Sequence, residues 1–265
     1  MSFHFGIPNN SKSIQNVISH YKRSEFYSIT RSTIPLLSLL AHDQDTFDSL
    51  ISEIEFSSNY HTYLEYTISP RLGRGKASHT DAMLIAGNSS LAIEAKWTEE
   101  MYPTVSDWIK QGINKQNRID VLNGWLTCFN QHLGEPFDPD DFLTSIYQMI
   151  HRAASAVEAG KKPSIAYFLF KMKSLTKGAT TDEISKKLKE LWNLLGKPNS
   201  LNFYVAEIEI EPTDLYESLQ VDASSKCKEE ISETIIDALQ GNDALFKYIP
   251  RPVIKIDDSD REGEF

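Results

Sequence analysis

Cysteine is nearly absent: Cys128 and Cys227 are the only two thiols in 265 residues, and they stand far apart with no CxxC. They cannot build a disulfide framework or a four-cysteine zinc site, so a reduced, cytoplasmic protein is the expectation. Long apolar runs are missing too. None approaches the roughly 20 residues that a membrane-spanning helix needs. The opening MSFHFGIPNN has no basic stretch followed by an apolar one, so neither a signal peptide nor membrane contact is expected. Positive charge is in deficit, with 27 Lys and Arg against 37 Asp and Glu for a net −10. That balance argues against a protein that coats nucleic acid non-specifically and leaves room for a local basic cleft. The histidines form neither HExxH nor HxH. Gly73-x-Gly75-Lys76 lacks the spacing and the Ser/Thr of a P-loop. No serine or cysteine sits in a recognisable nucleophile elbow.

What is present suits a folded protein, with 40% apolar and 24% charged residues. No repeat, low-complexity linker or composition shift divides the chain. The expectation is a single domain over 1–255 and an acidic, frayed tail over 256–265, where Asp257, Asp258, Asp260, Glu262 and Glu264 face one Arg261. Ile14, Val17, Ile18 and Tyr21 predict a first helix, Pro35 the start of a second, and Phe47, Leu50, Ile51 and Ile54 a third. Tyr63–Ile68 reads as a strand with Tyr63, Glu65 and Thr67 on one face. Residues 81–97 read as a hairpin turning at Gly87-Asn88-Ser89-Ser90. Helix follows from Thr104 to about His132, weakened by Gly112 and Gly124. A strong helix is expected over Asp141–Gly160. Ile165–Phe170 is a strand apolar on both faces. Thr180-x-x-Glu183 is a capping box opening another helix, and Phe203–Ile210 alternates as a last strand. The order predicts an α/β protein with a mixed sheet.

The chemistry concentrates in the hairpin. Glu94 and Lys96 are two apart on one strand and face the same way, and pairing with the preceding strand brings Asp81 close to Glu94. Two carboxylates and the main-chain carbonyl of Ala95 are hard oxygen donors suited to Mg²⁺ or Mn²⁺. An ammonium beside them orients a water or stabilises developing charge on a phosphodiester. Lys96 is the one lysine in the chain with an acid two positions before it. An exposed ion-pair row is the plainer account of Glu94 and Lys96. Against it, Leu84, Ile85, Leu91 and Ile93 make the hairpin central, and burying two acids there is costly without a cation.

Glu65, Ser78-His79-Thr80-Asp81 and Glu94-Ala95-Lys96-Trp97 resemble the PD-(D/E)xK nuclease superfamily, whose fold is restriction-endonuclease-like. Within it the chain is similar to a bacterial restriction-endonuclease-like group of poorly defined substrate. Thr80 stands where proline often does. The resemblance covers about 60–172. It implies a core of helix, three strands, helix and strand, with extra N-terminal and inserted helices around the sheet. It further implies a divalent metal at Asp81 and Glu94, with Lys96 as the third catalytic member. It makes Glu65 a candidate additional acid and Gln148 a candidate contact from the later helix. Arg74 and Lys76 are candidates for phosphate contact, with Arg71, Lys110, Lys115 and Arg118 weaker ones. Between Arg71 and Arg118 seven bases oppose five acids, the balance of a basic-rimmed cleft in an acidic chain. Trp108, Trp125 and Trp192 are expected in the core. The partner expected is nucleic acid, DNA first, with a homodimer as an allowed assembly. The rival functions are a non-catalytic binding or regulatory protein on the same scaffold and a phosphoesterase acting on small nucleotides.

Overall fold

The computed structural model describes residues 2–6 and 13–258. The chain begins with strand β1 (Ser2–Phe5), then helix α1 (Ile14–Ile18), a 3-10 turn over Arg23–Phe26, and helices α2 (Thr33–His42) and α3 (Gln44–Glu53). Three strands follow: β2 (His61–Ile68), β3 (Ser78–Ala86) and β4 (Ser89–Lys96). Next come α4 (Val105–Lys110), α5 (Lys115–Leu133), α6 (Tyr147–Ala159), β5 (Lys162–Lys171), α7 (Thr181–Leu194) and β6 (Asn202–Pro212). The described chain ends with α8 (Asp214–Asp222), α9 (Lys228–Gln240), β7 (Phe246–Pro250) and β8 (Ile254–Lys255).

The strands form one mixed sheet in the order β1-β2-β3-β4-β5-β6-β7, with β8 also on β6. The β2–β3 and β3–β4 pairs are antiparallel, and β4–β5 and β5–β6 are parallel. The helical crossovers α5–α6 and α7 make those parallel pairings possible. Strand β5 shows why it reads as an unbroken apolar run. Ile165, Tyr167 and Leu169 pack toward α5, α6 and α7, while Ala166, Phe168 and Phe170 pack toward α2, α3 and α9. Helices cover both faces, and period-2 alternation fills both layers. The Thr180–Glu183 capping box is formed at the start of α7.

Several expectations are corrected. The stretch before Tyr147 is not helical. Pro139–Phe142 is a 3-10 turn, and Ile146 is extended and bridged to Thr104. Residues 104–132 form two helices that part at Gly112, whereas Gly124 lies inside α5 because the backbone of Arg71 and Leu72 packs on it. Strands β1, β7 and β8 and helices α8 and α9 were not foreseen. Of the expected tail, Ile256 is buried with its N–H donated to Phe203, and Lys189 and Lys197 reach Asp257 and Asp258. That beginning of the tail is therefore docked, and 259–265 lie outside the described residues. Among the described residues no helix is long and apolar enough to cross a membrane.

Candidate active site

The paired register of β3 and β4 runs from Ala86↔Ser89 to Ala82↔Ile93. One step further along that register, Asp81 faces Glu94. The Asp81 side chain itself continues the ladder, because Oδ2 accepts the Ala95 N–H at 2.8 Å. In a strand the N–H and C=O of one residue point to the same neighbour. The Ala95 carbonyl is therefore directed to the Asp81 side as well. Two residues apart on β4, Lys96 Nζ and Glu94 Oε1 lie 3.1 Å apart, both side chains buried.

Helix α6 completes the cluster. Gln148 and Arg152, at i and i+4, share the face that meets β4. Gln148 Nε2 donates to Glu94 Oε1 at 2.6 Å, and Arg152 Nε donates to Glu94 Oε2. Arg152 also donates through Nη1 to the Ser78 hydroxyl at 2.6 Å, and that hydroxyl lies 2.9 Å from Nδ1 of His151. Glu94 is thus a carboxylate with donors on both oxygens at 3% exposure.

The electrostatics follow from this wiring. Burial pushes the Glu94 carboxyl upward, and Arg152 and Lys96 outweigh it, so Glu94 stays below the usual carboxylate range. For Asp81 the balance is reversed: burial, then Glu94, outweigh Arg152 and the Ala95 N–H and raise it well above its ordinary value. Burial and then Glu25 lift Glu65 to about 7. Burial, with Arg152 and Lys96 nearby, holds His151 well below its usual range and hence neutral. A neutral ring lets Nδ1 accept the Ser78 proton.

Glu65 stands opposite Asp81 in the β2–β3 register, between the pairs Leu64↔Ala82 and Tyr66↔Thr80. Its φ of 52° interrupts the simple alternation expected for Tyr63, Glu65 and Thr67. Its side chain lies 3.8 Å from the His79 ring. The structure therefore gathers Asp81, Glu94, Lys96 and Gln148 and places Glu65 beside them.

Next to this cluster opens a cleft of about 500 Å³ whose walls include Arg74, Lys76, Arg118 and Arg152. Among the described residues no acidic side chain lines it. Asp81, Glu94 and Lys96 sit behind its floor, where Ser78 and Arg152 intervene. The loop carrying Arg74 and Lys76 is clamped to α5. Asn117 Oδ1 accepts the Arg74 N–H at 2.7 Å, and Asn117 Nδ2 donates back to the Arg74 carbonyl at 2.5 Å. Gly73, at φ 78°, packs directly on Val121, where a Cβ would collide with the backbone. Arg71 is directed elsewhere and pairs with Glu158. Lys110 pairs with Asp107 at the surface. Trp125 and Trp192 are core residues as expected, while Trp108 is only partly buried and forms a cleft wall.

Two residues that organise the site carry no motif of their own: Arg152, which holds Glu94, and Asn117, which clamps Arg74. Arg152 carried a usable signal, the i,i+4 spacing from Gln148. Its presence corrects one argument. Glu94 in the interior does not by itself demand a metal, because Arg152 and Lys96 already supply positive charge there, and Asp81 is only partly buried. Among the described residues no three His, Cys, Asp or Glu side chains are gathered as a metal site. Mg²⁺ is often held by one or two carboxylates with waters and substrate phosphate completing its shell. Asp81, one remaining lone pair on Glu94 Oε2 and the Ala95 carbonyl are the oxygen donors that would have to meet that smaller requirement.

A family model described as Domain of unknown function (DUF6946) matches residues 10–219, or 210 of the 265 residues. The match includes every residue of the cluster and the cleft. No curated protein and no solved structure matches the chain.

Proposed function

The chain belongs to the DUF6946 family, and from that premise we propose that it is a metal-dependent nuclease of the PD-(D/E)xK type, hydrolysing phosphodiester bonds of nucleic acid, DNA first. The observation that carries this reading is the convergence of Asp81, Glu94 and Lys96 where β3 and β4 cease to pair, against the floor of a basic cleft. The succession of β2, β3, β4, the α5–α6 crossover and β5 supports a restriction-endonuclease-like core. Two unpaired cysteines agree with a reducing, cytoplasmic setting.

Asp81 and Glu94, with the Ala95 carbonyl, would hold Mg²⁺ or Mn²⁺. A cation bound there supplies Lewis acidity toward the phosphodiester and acidifies a water. The protein's own groups do the rest. Gln148 and Arg152 fix the orientation of Glu94. Lys96 positions the attacking water or neutralises charge building on the phosphoryl oxygens, in a site dry enough to make that charge effective. Arg74 and Lys76 hold the strand through its phosphates. Asp81→Ala, Glu94→Ala and Lys96→Ala each lower Mg²⁺-dependent cleavage of DNA, assayed on single-stranded and duplex substrates alike, by about 10²-fold or more. Equal cleavage by the wild type and all three variants overturns the proposal.

One observation favours a second reading. The Arg152 guanidinium already occupies the role of counter-cation to Glu94, as it would in a binding or regulatory protein that dispenses with metal. Calorimetry with Mn²⁺ separates the two. Heat of binding that disappears in Asp81→Asn supports the nuclease, and no binding by the wild type supports the metal-free scaffold.

A further inference from the structure

Tyr102 lies at the mouth of the cleft, 47% exposed, with its ring centre 5.8 Å from Lys96 Nζ. Its segment is held firmly. The next residue, Pro103, accepts the Tyr147 N–H at 3.2 Å, and Thr104 is bridged to Ile146, so the loop is fastened to the start of α6. The other prominent ring of the cleft is already engaged. Trp108 stacks on Tyr147 at 3.7 Å between centroids and 9° between planes, and the Arg118 guanidinium lies 4.8 Å from its centre. Tyr102, half exposed and with Lys96 near one side of its ring, therefore has aromatic surface to offer in a cleft also lined by Arg74, Lys76 and Arg118.

We propose that this cleft takes an unpaired strand of nucleic acid, with one base stacked on Tyr102 and the adjoining phosphate led toward Lys96. The inference names the substrate form for the nuclease and rests on that reading. Three arguments carry it. The bases of a duplex are covered by their neighbours, whereas an unpaired base presents a π-face to any aromatic ring. The cleft, at about 500 Å³, is the size of a small-molecule pocket, roughly 300–1,000 Å³. A space of that size matches a nucleotide or a strand end better than the body of a duplex. Lys96 Nζ is 5.8 Å from the Tyr102 ring centre, so a phosphate next to a base stacked there has to leave the line of a helical duplex to approach it, which a flexible single strand does more readily.

The test is fluorescence anisotropy of the full chain in EDTA at low salt, using labelled dodecathymidylate and a labelled duplex of the same length. The single strand binds at least tenfold more tightly than the duplex. Tyr102→Ala weakens it by about 5- to 150-fold, the range of one base–aromatic stack, and leaves duplex affinity unchanged, while Tyr102→Phe retains wild-type binding. Equal affinity for the two probes, or an unaltered Tyr102→Ala, overturns the inference. So does thymidine monophosphate that competes as well as the oligomer, since that defines a small-nucleotide pocket. EDTA separates this result from the catalytic reading. Strand preference without Mg²⁺-dependent cleavage sinks the nuclease alone, and cleavage without strand preference sinks only this inference.

Discussion

Arg152 of α6 and Glu94 of β4 form a buried, hydrogen-bonded ion pair at the centre of the molecule, and neither side chain exceeds 8% exposure. Such a pair adds little net stability over an apolar substitute, yet removing one partner strands the other charge in a medium that solvates it poorly. Arg152→Met should therefore cost about 3–5 kcal/mol in urea unfolding. Glu94→Gln in the same background should recover part of that loss, because a neutral amide no longer needs the guanidinium. A double-mutant cycle measures the coupling. Strictly additive losses would show that the two groups do not hold each other.

Glu65 gives the molecule a pH dependence of definite sign. Its carboxyl is raised by burial, and then by Glu25, from an ordinary 4.5 to about 7. The folded state therefore binds a proton that the unfolded state has released, and stability falls as pH rises from 4.5 to 7, then levels. The penalty above pH 7 is at most about 3.5 kcal/mol. Glu65→Gln removes it. The urea midpoint of the variant should draw ahead of the wild type across that window and keep a constant lead beyond it, while the two agree near pH 4. Parallel profiles at every pH would mean that Glu65 is solvated in the folded protein.

What was legible in the sequence follows from how locally each feature is specified. The β3–β4 hairpin declared itself through two apolar runs around a four-residue turn, and its register brought Asp81 to Glu94. Strand β5 was visible because burial on both faces leaves no polar interruption. Leu143 and Ile146, by contrast, fit a helical period with Tyr147 and Ile150, yet Pro139 sets a 3-10 turn and the Thr104 bridge draws Ile146 into an extended form. A tertiary contact outweighs the local pattern there. Strands β1 and β8 have four and two residues, too few for alternation to register. At the site, the acids and Lys96 stood out because a motif joins them. Arg152 reaches Glu94 through the fold, 58 residues away in sequence, and its one local mark is the i,i+4 spacing from Gln148.

Gly124 tests whether the cleft depends on the docking of its basic loop. It lies within α5, and alanine there would normally favour the helix by up to about 1 kcal/mol. A Cβ at this position, however, would come within 2.5 Å of the Leu72 amide nitrogen and 2.9 Å of its carbonyl oxygen. Those are backbone atoms of the loop that carries Arg74 and Lys76, and no rotamer change can move them aside. Gly124→Ala should therefore destabilise the protein by about 1–3 kcal/mol. It should also push residues 71–76 off α5, straining the Asn117 clamp on Arg74. Oligonucleotide binding then weakens more than stability alone explains, because the bases of the wall leave their places while Glu94, Gln148 and Arg152 stay in theirs. Urea unfolding and anisotropy on the same variant read the two effects separately. A Gly124→Ala protein that is more stable than the wild type would show that helix propensity prevails there and that the loop is not packed on α5.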